Sequence, residues 1–202
     1  MRIIGLTGGI ASGKSFISEH LQQLGALIID ADELARQAVQ PGSVVLSEIE
    51  KEFGADLIAK DGTLDRAKMG GIVFNSAKAR QKLNEIIHPQ VLKEVYRLIS
   101  INRNDPDLKA IIIDAPLLIE SGLNEAAEEI WVVSVDKDIQ VARLMSRDKM
   151  SFEQAQNRIK SQMPLAEKLA YADHVIDNNQ SRAETLRQID RLWQKVLKKD
   201  DN

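Results

Sequence analysis

The residues with the clearest chemical potential lie near the start of the chain, where residues 8–15 have the sequence GGIASGKS. This stretch follows a short apolar run and fits the pattern G-x-x-x-x-G-K-[ST]. Glycines let the backbone approach a phosphate closely, and a following helix N-terminus directs N–H groups at the anion. Lys14 adds a positive charge for the β- and γ-phosphates, and the Ser15 hydroxyl is an oxygen ligand that suits Mg²⁺. The stretch predicts a nucleoside triphosphate site rather than a flexible turn with an incidental lysine.

Two carboxylates follow later apolar runs, at the strand ends where open α/β sheets bind ligands. Asp114 ends one run and would hold Mg²⁺ through water, or it simply ends a strand before Pro116. Asp32 follows the run at residues 26–30 and would accept the proton of an attacking hydroxyl group. It could equally be only the N-cap of the next helix. The sequence leaves both choices open.

Basic residues are concentrated in residues 137–168, which contain seven Lys or Arg and four Asp or Glu, a net charge of +3 within a chain of −3. Arg143 and Arg147 are four residues apart, so on a helix they share one face, and a phosphate between them would offset their repulsion. We predict a lid in which Arg143 and Arg147 cover the triphosphate and exclude water, with Arg158 as a further candidate. The alternative for each arginine is a solvated basic face.

Five apolar runs, separated by helical patterns, are the elements that would position these residues. Four runs are continuous rather than alternating, which is typical of parallel strands covered by helices on both faces. The predicted strands are residues 2–7, 26–30, 110–115, 130–135 and 174–176. The predicted helices are residues 13–24, 43–53, 66–74, 77–101 and 181–197, with 137–172 helical but broken by Pro164 and a frayed tail at 198–202. Residues 40–108 contain no convincing strand and are expected to be a helical insertion in an α/β core.

Composition limits the class of protein. The 202 residues suffice for one domain with a subdomain, and 44% hydrophobic and 28% charged residues are ordinary for a soluble globular chain. There is no cysteine, which excludes thiolate chemistry and cysteine-based zinc sites, and the three histidines lack metal-ligand spacing. The net charge of −3 gives no reason to expect nucleic acid as a partner. Without a signal-peptide pattern or a long apolar run, we expect a cytoplasmic protein with no membrane partner, and its oligomeric state stays open.

Motifs through most of the chain resemble those of the dephospho-CoA kinases, the enzymes of the last step of coenzyme A biosynthesis. The matching stretches are IGLTGGIASGKS, IIDADELARQ, LDRAKMGGIVF, IIHP, DAPLLIE, RLMSRD followed by AQNRIKSQ, and ADHVIDNNQ. The first is shared broadly among phosphate-binding enzymes, whereas the others in this order are far more specific. Three positions depart from the family pattern, with Ala11 where Gly is usual, Ile119 in place of Phe, and Gln180 in place of Gly.

The resemblance implies ATP-dependent phosphorylation of the ribose 3′-hydroxyl of dephospho-CoA, with Mg²⁺, to give coenzyme A and ADP. It implies a three-layer α/β P-loop NTPase fold with a five-stranded parallel sheet, a helical substrate-binding insertion and a helical lid. We expect a nucleotide-binding core at residues 1–39, 109–136 and 173–202, a helical CoA-substrate region at 40–108, and a lid at 137–172. ATP and dephospho-CoA are the expected partners.

The motifs and the resemblance together give a set of expected site residues. Those expected to bind ATP are Gly9, Ile10, Ala11, Ser12, Gly13, Lys14, Ser15, Phe16 and Asn178. Those expected to contact the acceptor are Asp32, Arg36, Asp65, Arg66, His88, Leu117, Leu118 and Glu120. Those expected to act in catalysis are Asp32, Lys14, Arg143 and Arg147, and Mg²⁺ is expected at Ser15 and Asp114.

Several assignments have structural alternatives that the sequence leaves open. His88 precedes Pro89, and a histidine there can be purely structural. Leu117 and Leu118 suit a core equally well, and Asn178 suits a turn that ends the last strand. The function also has two rivals: another small-molecule kinase, acting on a nucleoside or nucleotide, and a nucleotide-binding switch that phosphorylates no metabolite. The long helical region favours the bulky dephospho-CoA acceptor.

Overall fold

The computed structural model describes residues 1–199 and divides into two compact units. The first unit comprises Met1–Ile29 and the chain from Ile99 onward, and the second comprises Asp30–Leu98. The first unit carries the β-sheet and the phosphate loop (residues 8–15), whereas the second is mainly helical.

A five-stranded sheet forms the centre of the first unit. Its strands are β1 (Arg2–Gly8), β2 (Ala26–Asp30), β3 (Ala110–Asp114), β4 (Glu129–Ser134) and β5 (His174–Asp177). The order across the sheet is β2-β3-β1-β4-β5, and β1 pairs in parallel with β3 and β4, as β4 does with β5. Every residue of β3 is buried, as its continuous apolar run predicts. The predicted α/β fold with a five-stranded parallel sheet is confirmed.

Helices alternate with the strands along the chain. In chain order they are α1 (Lys14–Gln23), α2 (Ala31–Ala38), α3 (Val44–Phe53), α4 (Arg66–Asn75), α5 (Ala77–Asn102), α6 (Lys137–Asp148), α7 (Phe152–Lys160), α8 (Leu165–Leu169) and α9 (Arg182–Lys199). Short 3₁₀ turns occupy Ala55–Leu57 and Leu123–Ala126. The three helices predicted between residues 43 and 101 are present to within one residue of their expected limits.

The main core of the first unit lies where α1 and α9 cover the sheet. Ile17 and Leu21 of α1, four residues apart, are fully buried with Trp131 of β4. Ile189 and Trp193 of α9, also four apart, join the same cluster. Because burial of each large apolar side chain contributes roughly 1.5–3 kcal/mol, this cluster fixes the strand ends that carry the phosphate loop.

A separate core holds the second unit together. It is built from Val39, Val45, Ile49, Leu57 and Met69. Side chains of α5 pack against the same cluster, which explains why a segment without a long strand still forms a compact body.

The remaining predicted elements are also present. Residues 137–172 form three helices, and Pro164 immediately precedes α8. Helix α9 continues past the predicted end at residue 197 to Lys199, and residues 200–202 of the predicted frayed tail lie outside the described residues. Within residues 1–199, no helix combines the length and the apolar character needed to cross a membrane.

Candidate active site

The phosphate loop joins β1 to α1 and contains two residues with left-handed backbone. Ala11 has φ +58° and Gly13 has φ +92°, a region in which glycine is favoured over other residues. Gly13 is the N-cap of α1, and no acidic residue lies in the first turn of that helix. The loop therefore leads directly into a helix N-terminus whose unpaired N–H groups attract anions.

Asn178, which follows β5, is bonded to the backbone of the phosphate loop. Its Nδ2 donates to the carbonyl oxygen of Ser12 at 2.6 Å, and its Oδ1 accepts from Thr185 Oγ1 at 2.9 Å. A Cβ added to Gly13 would collide with the Nδ2 of Asn178. Asn178 is 6% exposed, so this contact is a buried support of the loop.

Lys14 and Asp114 form an ion pair between the start of α1 and the end of β3. Ser18, one turn further along α1, donates to the second carboxylate oxygen of Asp114, and its hydroxyl lies 3.1 Å from the carbonyl oxygen of Lys14. The side chains of Lys14 and Asp114 are only 14% and 7% exposed. Low exposure strengthens the attraction between the two charges and holds the lysine beside the loop.

The hydroxyl of Ser15 and the carboxylate of Asp114 are two oxygen donors that this region offers to a metal ion. Ser15 is exposed at the start of α1. Within residues 1–199, no cluster of three or more His, Cys, Asp or Glu could hold a metal ion. Mg²⁺ does not need such a cluster, because it commonly takes one or two protein oxygens together with phosphate oxygens and water. The donor set therefore fits an ion that accompanies a nucleotide.

Arg143 lies against the phosphate loop. Its Nη2 donates to the carbonyl oxygen of Asn178 at 3.0 Å, and its Nη1 lies 3.5 Å from the carbonyl oxygen of Ser12. Two backbone carbonyl oxygens, those of Ser12 and Asn178, thus take the place of some of the water around the guanidinium group. Its charge stays available to a phosphate bound by the same loop.

Arg147 has a different partner, although it lies one turn further along α6. Its guanidinium forms two hydrogen bonds with Asp148, at 2.7 and 3.1 Å, and Arg158 of α7 also binds Asp148 at 2.6 Å. The hydrogen bond from Arg147 lowers the pKa of Asp148 below its ordinary value of 3.8, and Asp148 in turn raises the pKa of Arg147. Asp148 therefore binds an arginine of its own helix and, through Arg158, links α6 to α7.

Glu120 is paired with a buried lysine. Lys168 Nζ lies 2.8 Å from both carboxylate oxygens of Glu120 and 2.8 Å from the carbonyl oxygen of Pro116. The Met163 N–H also donates to Glu120, at 3.1 Å. The Lys168 side chain is fully buried, so the net charge of +3 counted for the lid overstates its exposed positive charge.

The two leucines after β3 differ in exposure. Leu118 is fully buried and would lie 2.6 Å from a Cβ added to Gly5. It is therefore part of the core in this structure, the alternative that the sequence left open, and it offers no surface to an acceptor. Leu117 is half-buried and stays a candidate.

In the second unit, Asp30 rather than Asp32 caps helix α2. The carboxylate of Asp30 accepts a hydrogen bond from the Glu33 N–H at 3.0 Å. Asp32 lies in the first turn of α2 and is exposed. The alternative in which Asp32 is only the N-cap is therefore wrong.

The other acceptor candidates of this unit lie on α2, α4 and α5. Arg66 Nη2 lies 3.4 Å from the carbonyl oxygen of Arg36, which brings two predicted residues together. Asp65 caps α4 by accepting from the N–H three residues later at 3.0 Å. His88 is half-buried within α5, and the helix continues through Pro89. Asp65 thus has a structural role regardless of any contact with substrate.

The distant partners of the phosphate loop and of the start of α1 could not be named from the sequence. Ile10 exchanges backbone hydrogen bonds with the side chains of Gln140 and Gln162. The guanidinium carbon of Arg182 lies 5.2 Å from the centroid of the Phe16 ring, within the range of a cation–π contact. These partners are distant in sequence and of common residue types, so only the fold identifies them.

Comparisons with known proteins agree on one family. Residues 2–184 match the family model described as dephospho-CoA kinase. The chain is similar to the dephospho-CoA kinase of Geobacter sulfurreducens, with 45% identity over 197 residues that cover 96% of this chain and 98% of the relative. It is also similar to that of Geobacillus kaustophilus, with 47% identity over 190 residues and 92% of both chains covered.

Solved structures give the same result. A dephospho-CoA kinase from Campylobacter jejuni is 30% identical, with a TM-score of 0.71 and 98% of both chains covered. A Thermus thermophilus protein is 28% identical, with a TM-score of 0.79, and 96% of this chain and 97% of that chain are covered. A shikimate kinase from Bacteroides thetaiotaomicron, 14% identical with a TM-score of 0.53 and coverage of 96% and 98%, shares the fold alone.

Proposed function

We propose how this chain, which belongs to the dephospho-CoA kinase family and uses ATP to phosphorylate dephospho-CoA to coenzyme A, carries out that reaction. The phosphate loop holds the ATP, and Asp32 receives the proton of the ribose 3′-hydroxyl group. The hydroxyl oxygen attacks the γ-phosphorus, the new P–O bond forms as the bond to the β-phosphate oxygen breaks, and ADP leaves. The proton passes to the Asp32 carboxylate.

The donor half of the proposal is supported by the Lys14–Asp114 pair at the N-terminus of α1. That pair keeps an ammonium group beside the backbone N–H groups that would cradle the phosphates. We propose that Mg²⁺ accompanies ATP, held by the Ser15 hydroxyl and, through water, by Asp114. The ion would neutralise negative charge on the phosphate oxygens, while Lys14 contacts the transferring group.

The acceptor half is supported by the division of roles between two aspartates. Asp30 caps α2 by accepting from the Glu33 N–H, whereas Asp32 lies exposed in the first turn of the same helix, where a carboxylate could receive a proton. Arg36 and Arg66 supply positive charge in the same unit and would contact the acceptor's phosphates. His88 and Asp65 are proposed to border the acceptor.

The two lid arginines are proposed to act at different points of the triphosphate. Arg143 already lies against the phosphate loop, so it would contact ATP on binding. Arg147 is held by Asp148 and would have to exchange that carboxylate for a phosphate. If this exchange accompanies the transfer of the phosphoryl group, the new contact stabilises the transition state more than the ground state.

Broader assignments remain proposals of the same kind. Residues 137–172 would act as the lid and residues 40–108 as the acceptor-binding region. A cytoplasmic location, and partners limited to ATP and dephospho-CoA, stay predictions from the sequence.

The test is to incubate the purified chain with ATP, Mg²⁺ and dephospho-CoA and to locate the new phosphate by tandem mass spectrometry. The phosphate is expected on the ribose 3′ position. Asp32→Asn should bind ATP normally by calorimetry but turn over about 10²- to 10⁴-fold more slowly, the range for loss of a general base. An active Asp32→Asn enzyme would reject the role proposed for this carboxylate.

Asp30→Asn is the matched control, because asparagine caps a helix as well as aspartate. This neighbouring substitution removes the same charge two residues away and should leave turnover near the wild-type value. ADP release that does not depend on dephospho-CoA would instead favour the nucleotide-binding switch.

A further inference from the structure

Two glutamines of the lid segment (residues 137–172) hold one residue of the phosphate loop. Gln140 of α6 donates its Nε2 to the carbonyl oxygen of Ile10 at 2.7 Å. Gln162, which follows α7, accepts from the N–H of the same residue at 2.8 Å. Gln140 is only 9% exposed. The side chains of Ile10 and Ala11 pack against a buried cluster of the lid formed by Val141, Leu144 and Ala155.

Ile10 is the second residue of a tight turn. The Ser12 N–H donates to the Gly9 carbonyl oxygen at 3.1 Å, so the turn spans residues 9–12. Its third residue, Ala11, has φ +58°, whereas Ile10 is not among the residues with positive φ. Positive φ at the third position alone is the mark of a type II turn, which favours glycine or asparagine there. Ala11 therefore occupies a conformation that its own side chain disfavours.

The carboxamide of Gln140 acts on the peptide unit that joins Ile10 to Ala11. Because a peptide unit is planar, the Ile10 C=O and the Ala11 N–H point in opposite directions. Rotation of this unit by half a turn would convert the turn to type I, relieve the positive φ of Ala11 and reverse both groups. The bond from Gln140 to the Ile10 carbonyl opposes that rotation. Gln162 fixes the preceding peptide unit, whose Gly9 carbonyl closes the turn.

We propose that Gln140 and Gln162 are positioning residues that hold the turn at residues 9–12 in the form that presents the Ala11 N–H to the phosphates of ATP. This inference rests on the proposed role of the loop as the ATP site. The two hydrogen bonds are needed because residue 11 is alanine. Unlike glycine, alanine disfavours the positive φ of the type II turn and so favours the type I turn. The close approach of Gly9 agrees with this arrangement, since a Cβ there would lie 2.5 Å from Gln140 Nε2 and displace the carboxamide.

The first test replaces each glutamine by methionine, which keeps the shape but makes no such hydrogen bond. ATP affinity, measured by calorimetry with Mg²⁺, should fall about two- to tenfold for Gln140→Met and for Gln162→Met, the range expected for one net hydrogen bond. The KM for dephospho-CoA should not change. Gln156→Met in α7 is the matched control, because Gln156 makes no hydrogen bond with the loop in the described part of the chain.

The decisive test is Ala11→Gly in two backgrounds, wild type and Gln140→Met. Since glycine removes the strain that drives the rotation, it should raise ATP affinity more in Gln140→Met than in the wild type. Gln140→Leu, which is uncharged and cannot donate, provides a second variant that removes the same bond. An equal effect of glycine in both backgrounds, or wild-type ATP affinity in all the glutamine variants, would overturn the inference.

Production of coenzyme A by the wild type in the same preparation separates this inference from the proposed function. If the wild type makes coenzyme A while the glutamine variants bind ATP as it does, the positioning role fails and the proposed function stands. If the wild type binds no ATP, the proposed function fails first.

Discussion

Substitution of Gly13 by alanine tests the support of the phosphate loop most directly. Gly13 has φ +92° and ψ 16° and faces the carboxamide of the buried Asn178. A methyl group there would be strained by the backbone and would collide with the Nδ2 that donates to Ser12. Asn178 would have to move, which would break its bonds to Ser12 and Thr185.

The cost can be worked out from these contacts. Left-handed backbone costs a non-glycine residue about 1–2 kcal/mol, and loss of two hydrogen bonds adds about 1–3 kcal/mol. Alanine also restricts the unfolded chain, which returns about 0.4–1 kcal/mol. The net loss in the free energy of unfolding for Gly13→Ala is therefore expected at about 1–4.5 kcal/mol.

Gly122 supplies a control with nearly the same backbone but open surroundings. It has φ +76° and ψ 5°, and in the described part of the chain no heavy atom lies within 4 Å of a Cβ added there. Gly122→Ala should therefore cost only the difference between backbone strain and unfolded-state restriction, about 1 kcal/mol. Urea unfolding measures both variants, and calorimetry with ATP shows whether the Gly13 variant alone loses affinity.

A double-mutant cycle with Asn178→Ala decides whether the collision is the cause. Once the carboxamide is absent, Gly13→Ala should cost no more than Gly122→Ala. If the two glycine variants are equally stable in the wild-type background, the contact between Gly13 and Asn178 contributes nothing. The same conclusion follows if removal of the carboxamide leaves the cost of Gly13→Ala unchanged.

Three further outcomes are expected. Lys168→Met should lower the free energy of unfolding by about 3–5 kcal/mol because it leaves the Glu120 carboxylate unpaired, and adding Glu120→Gln should recover part of that loss in urea titrations. Arg147→Ala should reduce kcat more than it raises the KM for ATP, and a change confined to KM would argue against action on the transferring phosphate. Arg147 lowers the pKa of Asp148, so the stabilisation from their pair is complete above the ordinary value of 3.8 and is lost as the pH falls through the lower folded-state pKa. The difference in the free energy of unfolding between wild type and Asp148→Asn should accordingly be constant at neutral pH and shrink only in strong acid.

The parts that were predictable from the sequence are those set by local patterns. Apolar runs, four of them continuous, predicted the five strands, and the spacing of Gly13 and Lys14 after the first run predicted the phosphate loop at a helix N-terminus. The same reasoning named Asp32 as the possible cap of α2, whereas the cap is Asp30, two residues earlier. The choice depends on a difference of two residues in where the helix begins, which propensity alone does not fix.

Contacts between distant segments were the parts that could not be predicted. Lys168 was counted as one positive charge of the lid, but it is fully buried against Glu120, 48 residues earlier in the chain. Gln140 lies in none of the quoted motifs, and Gln162 ends the motif AQNRIKSQ with nothing in its type to name a partner, yet the two bond to both backbone groups of Ile10. Burial and partner choice are properties of the packed chain, so residue type gave no indication of either.

The electrostatics of the lid follow from partners rather than from net charge. Lys168 is neutralised by Glu120, and Arg147 shares Asp148 with a second arginine, so these three cations are already held by carboxylates. The helix N-terminus and Lys14 lie next to the loop that would hold the phosphates. Arg147 can contact a phosphate only after it leaves the Asp148 carboxylate. Because the two ion pairs are similar, this exchange is most favourable where the negative charge on the phosphate is largest. On this argument the Asp148 pair reduces ground-state binding and reserves the arginine for the transferring group, which is why its loss should appear in kcat.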